Sequence, residues 1–253
     1  MKKSDRIIYD EKLFSSVEYA KQVSFIEQKF RSRSKRVRKV IDVGCGTGIN
    51  SKILHDRGYQ VVGVDIDGSR IDLARKRWKN ISFSVGDMRD LKMDSKFDAA
   101  VCLFNVIYFN STLLDLSKTF SRLYSTLNDG GVLFFDINTR LLKDNFTKTN
   151  HSLIGHNENN LIIARFGSTV QGKDLLKTKL TYLVKNKGAF LCYTAYLKFG
   201  FFSIKEIEKA MMNAGFIKIE HGISNNFRIG ATYFMGEKYE SNNRDKNGES
   251  IIR

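Results

Sequence analysis

Val40-Ile41-Asp42-Val43-Gly44-Cys45-Gly46-Thr47-Gly48 decides the fold. A short apolar run ends in a Gly-x-Gly-x-Gly turn, and a helical pattern follows from about Asn50. Gly44 and Gly46 lack a Cβ, so the turn backbone can lie against a ligand. A second run, Val61-Val62-Gly63-Val64, ends in Asp65, which places a carboxylate where a ribose would be held. No Gly-Lys-Ser/Thr follows, which excludes the phosphate-cradling loop of NTPases. A dinucleotide fingerprint needs its third glycine at the position of Ile49, and the chain has Gly48 instead. The pattern therefore predicts a nucleoside with a small charged tail as ligand.

Outward from this stretch the chain alternates between strand and helix. Strands are predicted at 38–43, 60–64, 81–84, 97–103 and 131–136, with helices at about 50–57, 69–78 and 112–127. Asp129-Gly130-Gly131 reads as a turn before the fifth strand. Such alternation implies right-handed crossovers and a parallel sheet covered on both faces. Residues 1–36 carry Phe14, Val17, Tyr19, Val23, Phe25, Ile26 and Phe30 at roughly helical spacing and read as an N-terminal helical lid. After 137 the rhythm breaks. Residues 139–159 read as a polar loop, followed by strands at 160–170, 175–184 and 189–199 with hairpin turns at Gly172-Lys173-Asp174 and Asn186-Lys187-Gly188. Ser203 with Glu206 forms a capping box for a helix that stops at Gly215. Strands near 216–221 and 230–235 close the sheet. The predicted organisation is a lid (1–36), an α/β domain (37–138 and 201–237), an antiparallel β insertion (139–200) and a flexible tail (238–253).

Hydrophobic residues make up 42% of the 253, enough to bury a sizeable core. No apolar run is long enough to span a bilayer, and the N-terminus has no signal-peptide apolar region. Cys45, Cys102 and Cys192 lie far apart without metal-ligand spacing, as expected for reduced thiols in a cytoplasmic protein. The net charge is +15, and seven of the eleven residues from Lys29 to Lys39 are basic. That balance favours anionic partners, such as RNA, a nucleotide-activated substrate or acidic lipid. The chain has no proline.

The run Val40–Gly48 resembles the first motif of class I S-adenosylmethionine-dependent methyltransferases. Asp65 matches their ribose-binding acid. Ser84-Val85-Gly86-Asp87-Met88 resembles the segment that holds adenine, and Phe97 to Asn105 resembles the fourth-strand motif beside the methionine part of the cofactor. Leu127 to Leu133 resembles the turn into strand five, with Asn-Asp where Lys/Arg-Pro is common. The resemblance implies an α/β fold with a seven-stranded Rossmann-like sheet, helices on both faces and the last pair of strands antiparallel. It implies S-adenosyl-L-methionine as cofactor, released as S-adenosyl-L-homocysteine. The implied cofactor residues are Tyr9, Tyr19, Asp42, Gly44, Cys45, Gly46 and Gly48, then Asp65, Ile66, Asp87, Met88, Leu103, Phe104 and Asn105. No metal is implied.

Methyl transfer from a sulfonium is an in-line displacement, so the acceptor sets the catalytic residues. The absence of proline removes enzymes that use an Asn/Asp-Pro-Pro-aromatic motif or a Pro-Cys nucleophile. The order of the remaining motifs is similar to small-molecule N-methyltransferases of nucleotide-linked aminosugars and of glycine. Some aminosugar enzymes carry a histidine where this chain has Phe109. Tyr108, His151 and Tyr193 are the candidate catalytic residues, with His156, Tyr182 and Tyr196 as further members of the predicted roof. The expected acceptor is a small molecule, anionic or nucleotide-linked, methylated on nitrogen or oxygen, and a homodimer is compatible with this reading. Alternatives are an RNA methyltransferase using the basic surface and a non-catalytic cofactor-binding scaffold subunit.

Overall fold

A computed structural model describes residues 3–15, 17–33, 36–173, 175–224, 227 and 230–240. The predicted tail therefore lies outside the described residues from 241 onward. Eleven strands and six α-helices are formed among those described.

The larger sheet holds β1 (Lys39–Val43), β2 (Gln60–Asp65), β3 (Ser82–Val85), β4 (Phe97–Cys102), β5 (Leu127–Asn138), β10 (Phe216–Ile223) and β11 (Ala231–Lys238). Its order is β10-β11-β5-β4-β1-β2-β3. β1 pairs in parallel with both β2 and β4, while β11 runs against its neighbours β5 and β10. Chain order reverses at β1, so a crevice opens beyond the carboxyl ends of β1 and β4, where open α/β sheets bind ligands.

Successive side chains of a strand face opposite ways, and each face of this sheet has its own core. Ile41, Val43, Leu133 and Phe135 pack with Leu116, Phe120 and Leu123 of α5 (Leu113–Thr126) and Ile207 and Met211 of α6 (Ile204–Asn213). Val40, Val101, Val132 and Phe134 pack with Val23, Ile26 and Phe30 of α2 (Tyr19–Arg31), Leu54 of α3 (Ile49–Asp56), and Ile71 and Ala74 of α4 (Gly68–Arg77). Each fully buried Leu, Ile or Phe contributes on the order of 1.5–3 kcal/mol. Local signals set the helix starts: Asp67 accepts from the Ser69 amide at 3.0 Å, Thr112 from Asp115 at 3.1 Å, and Ser203 and Glu206 close the expected capping box. Gly215, at φ 102°, ends α6.

Two expectations are corrected. Asp129-Gly130-Gly131 lies inside β5 as an irregularity, with Gly130 at φ 72° and the register against β4 shifting between Phe97 and Ala99. The segment read as a loop contains a strand, β6 (Thr149–Glu158). With β7 (Leu161–Gln171), β8 (Leu175–Asn186) and β9 (Ala189–Gly200) it makes a separate four-stranded antiparallel sheet in chain order. Asn159-Asn160 and Lys187-Gly188 all take positive φ, the geometry of two-residue type I′ hairpin turns.

The N-terminal helix α1 (Lys3–Leu13) rests on this smaller sheet: Tyr9 and Leu13 are buried with Ile163, Tyr182, Val184 and Ala195. Part of the basic run serves the fold. Lys29 donates to Glu220 at 2.9 Å and to the Tyr233 hydroxyl at 2.8 Å, and Arg33 reaches Glu220 at 3.3 Å.

Candidate cofactor and acceptor site

The loop after β1 is held by its neighbours. The amides of Gly44 and Cys45 donate to the Val64 carbonyl at 2.7 and 3.0 Å, and the Trp78 indole donates to the Thr47 carbonyl at 2.9 Å. Gly44 sits at φ 75°, and a Cβ there would lie 2.3 Å from Cγ2 of Val106. The loop can pass the end of β4 only as glycine. Gly48, at φ 81°, is the N-cap of α3 and backs onto Phe83 and Trp78.

Asp65 ends β2 with its carboxylate fixed by backbone. Oδ2 accepts from the Gly46 amide at 2.8 Å and Oδ1 from the Asp67 amide at 2.8 Å. Each oxygen keeps a second lone pair for a hydroxyl. Asp42 is buried at the end of β1, and its Oδ2 accepts from the Ser51 hydroxyl at 2.6 Å. Burial pushes its carboxyl up to about 7, the Ser51 hydrogen bond opposes this, and the charge of Asp65 adds to it. Near it in the same cavity lies Asn50, whose buried Oδ1 has no hydrogen-bond partner. Asp87 caps a short turn of 3-10 helix and accepts from the Arg89 guanidinium at 2.6–3.1 Å, which holds its carboxyl below the usual range.

Beyond β4 the chain takes two consecutive left-handed residues, Phe104 at φ 62° and Asn105 at φ 65°. The Phe104 amide donates to Asp136 at 2.7 Å. Its ring is thereby presented to Tyr19 and Phe14, with centroids 5.5 and 6.3 Å away. These residues and the loop line one cavity of about 610 Å³. Its far side is the inner face of the small sheet, with Leu180, Tyr182, Ala195, Leu197 and Phe199, and Phe109 from the turn after β4.

Of the cofactor candidates, Tyr19, Asp42, Gly44, Cys45, Gly46, Asp65, Ile66, Asp87, Met88, Leu103, Phe104 and Asn105 are brought together around this cavity. Tyr9 and Gly48 do not line it; Tyr9 is packed between α1 and the small sheet. The catalytic candidates fall elsewhere. Tyr108 is fully buried in the main core, 3.4 Å from the Phe202 carbonyl, because the 3-10 turn after Asn105 rotates it inward. His151 stands on the outer face of the small sheet, stacked on Phe166 at 5.9 Å. Tyr193 is on the inner face but beneath α1, stacked on Tyr182 at 4.4 Å with its hydroxyl unpaired. His156 reaches Glu158 and Ser15 at 3.5 Å, and Tyr196 is exposed on the outer face.

Sequence reading missed the charged residues of α1 and their partners. Asp10 accepts from the Tyr182 hydroxyl at 2.6 Å and lies 3.4 Å from Arg165 and 3.5 Å from Arg70. Glu11 takes two bonds from Arg77 at 2.6 and 2.9 Å. Arg6 and Asp10 are four residues apart on one helix face, the available sequence signal, but the partners of Asp10 lie on α4, β7 and β8.

Residues 40–131, a little over a third of the chain, match a family described as a methyltransferase domain. These residues carry a methyltransferase domain. The chain is 29% identical over 116 residues to a dTDP-3-amino-3,4,6-trideoxy-alpha-D-glucopyranose N,N-dimethyltransferase of Streptomyces venezuelae, covering 46% of this chain and 49% of that one. In general it spans about half the length of the curated relatives it matches. The whole fold superimposes on DesVI of Streptomyces venezuelae with a TM-score of 0.80 at 22% identity, over 89% of this chain and 94% of that one. A second likeness is the S-adenosylmethionine-bound amino pentose methyltransferase CalS10 of Micromonospora echinaspora, TM-score 0.76 at 21% identity, over 88% and 93%. The small sheet and α1 lie outside the residues matched by the methyltransferase domain.

Proposed function

We propose that the protein transfers a methyl group from S-adenosylmethionine to a nitrogen or oxygen of a small molecule, with an amine on a nucleotide-linked sugar as first choice. The observation that carries this is the continuity of one cavity from Asp65 and the glycine loop to the inner face of the small sheet. The cavity between the loop and the sheet has room for a small acceptor.

The donor set suits the cofactor. Asp65 would accept from the ribose hydroxyls, and Asp87 with the backbone at Met88 would address adenine. Asp42 and the unpaired Oδ1 of Asn50 would receive the ammonium of the methionine part. The bound cofactor supplies an electrophilic methyl on a sulfonium. The chain's own work is alignment and exclusion of water. Phe14, Tyr19 and Phe104 would cover the cofactor, while Leu180, Leu197 and Phe199 would desolvate the acceptor. In the acceptor half, burial and the charge of Asp10 push the Tyr182 phenol up to about 12, so it stays protonated and donates to Asp10. Asp10 would be the carboxylate that orients an acceptor amine. The relatives named for aminosugar dimethylation support the choice of acceptor class.

The test is transfer of labelled methyl from S-adenosylmethionine to dTDP-aminosugars and to cell extract, separated by size with and without ribonuclease. Label in small molecules supports the proposal. Label confined to ribonuclease-sensitive polymer overturns it in favour of RNA, and binding of S-adenosylhomocysteine without any transfer points to a scaffold.

A further inference from the structure

Three arginines from separate elements close on the cavity: Arg6 of α1, Arg70 of α4 and Arg165 of β7. One carboxylate, Asp10, stands among them, and its short bond goes elsewhere, to the Tyr182 hydroxyl at 2.6 Å. Arg165 reaches Asp10 through one nitrogen at 3.4 Å, and Arg70 reaches it at 3.5 Å. Arg6 has no ion-pair partner among the described residues. The other acids lining the cavity, Glu11, Asp42, Asp65, Asp67 and Asp87, each already accept a hydrogen bond. This end of the cavity therefore holds more guanidinium donors than acceptors.

The unused donors are specific. The Arg165 side chain is 14% exposed, with its guanidinium over the Phe14 ring at 5.0 Å. Its Nε is buried and has no hydrogen-bond partner. Arg165 stands across from Tyr182, and Tyr182 across from Tyr193, whose hydroxyl is also buried and unpaired. The charge of Arg6 acts on that phenol, so Arg6 faces the same side of the cavity. A guanidinium carries five N–H donors and keeps its charge. Short of acceptors inside a protein it is costly, and a carboxylate or phosphate matches its fork with charge-assisted bonds. The cofactor's own carboxylate shares a carbon with the ammonium assigned to Asp42 and Asn50. It stays at the loop, where Arg70 lies 3.7 Å from the Cβ position of Gly46. Arg6 and Arg165 belong instead to α1 and the small sheet, the walls that face the acceptor.

We propose that Arg6 and Arg165 form an oxyanion seat for the acceptor, so that the molecule methylated carries a carboxylate or phosphate close to the amine that Asp10 would orient. The seat rests on the methyl-transfer reading of this cavity, but its test needs no turnover. Calorimetry on the full chain loaded with S-adenosylhomocysteine compares two pairs of probes: thymidine diphosphate with thymidine, and glycine with glycinamide. The anionic member of one pair should bind at least ~10-fold more tightly, and the pair that does so separates phosphate from carboxylate. That preference should fall to under ~3-fold in Arg6→Gln and in Arg165→Gln, while Arg165→Lys keeps part of it because the charge remains and the fork is lost. In the unaltered protein the anionic probe should slow hydrogen exchange in α1 and β7, a readout that needs no variant. Equal binding within both pairs overturns the proposal, as does a preference that survives both glutamine substitutions. It is overturned too if either glutamine variant loses affinity for S-adenosylhomocysteine but not for methylthioadenosine, since the seat then belongs to the cofactor's carboxylate. An anion preference without methyl transfer to dTDP-aminosugars keeps the seat and strikes the aminosugar reading instead.

Discussion

Replacing Gly44 by alanine should loosen the cofactor loop for two separable reasons. At φ 75° an alanine pays about 1–2 kcal/mol for the left-handed backbone. Its Cβ would also stand 2.3 and 2.6 Å from the two methyls of Val106. Relieving such an overlap in a packed region costs about 1–3 kcal/mol. The sum is about 2–5 kcal/mol in urea unfolding monitored by fluorescence. Truncating the obstacle separates the parts: in Gly44→Ala/Val106→Ala the overlap with the two methyls disappears, the Val106 Cβ stays 3.0 Å away, and about 1–2 kcal/mol of backbone cost remains. The double-mutant cycle should therefore show a favourable coupling of at least ~1 kcal/mol. Because Val106 borders the cavity, titration calorimetry with S-adenosylhomocysteine should show the same partial recovery. A Gly44→Ala protein as stable as the parent, or a cycle with no coupling, would refute the packing argument.

Four further expectations follow from the site. Asp65→Asn turns one of two oxygens, each of which accepts from a backbone amide, into an NH2 that faces that amide, so S-adenosylhomocysteine affinity should fall by about 1.5–3 kcal/mol; calorimetry showing unchanged affinity would remove Asp65 as the ribose ligand. Asp42 is raised when folded, so its neutral form is favoured: its contribution is intact below about pH 4, is lost as pH rises from about 4 to about 7, and is constant above. In thermal melts without cofactor, the stability of Asp42→Asn relative to the parent should rise across that window, and a flat difference would contradict the burial argument. Tyr108→Phe removes only a weak buried contact, so turnover should stay within ~2-fold and stability within ~1 kcal/mol; a large loss of turnover would restore Tyr108 to the reacting centre. Asp10→Ala leaves the Tyr182 hydroxyl without its acceptor, at about 1–3 kcal/mol, and hydrogen exchange should accelerate in α1; unchanged exchange would show that Asp10 does not help to hold α1.

The larger sheet was legible because its strands are short β-branched runs, such as Val40–Val43 and Val61–Val64, separated by cap and turn residues at regular spacing. The cofactor half of the cavity was legible for the same reason, since Asp42, Asp65 and Asp87 lie at or just beyond strand ends and strand ends converge in a parallel sheet. β6 was not legible. It is an edge strand with one neighbour and carries Asn, His, Ser and Gly on both faces, so no alternation survives in its sequence. Tyr108 was misplaced because its direction depends on two left-handed residues, Phe104 and Asn105, and neither is glycine. Asp10 was missed because its environment is tertiary: Tyr182, Arg165 and Arg70 are far away in sequence and meet only when α1 lies between the two sheets.

The helix α1 is tied on two sides, to α4 through Arg70 and Arg77 and to the small sheet through Tyr182, Arg165 and the Lys12–Glu158 pair at 3.1 Å. Arg6, Asp10, Glu11 and Phe14 of this segment form one wall of the cavity. If a ligand in the cavity leaves only after some of those ties part, the dwell time of the spent cofactor would be set by electrostatic fastenings near the surface. Such fastenings are screened by salt. Steady-state turnover limited by departure of S-adenosylhomocysteine would then quicken with ionic strength, the reverse of what is expected when encounter with an anionic acceptor sets the pace.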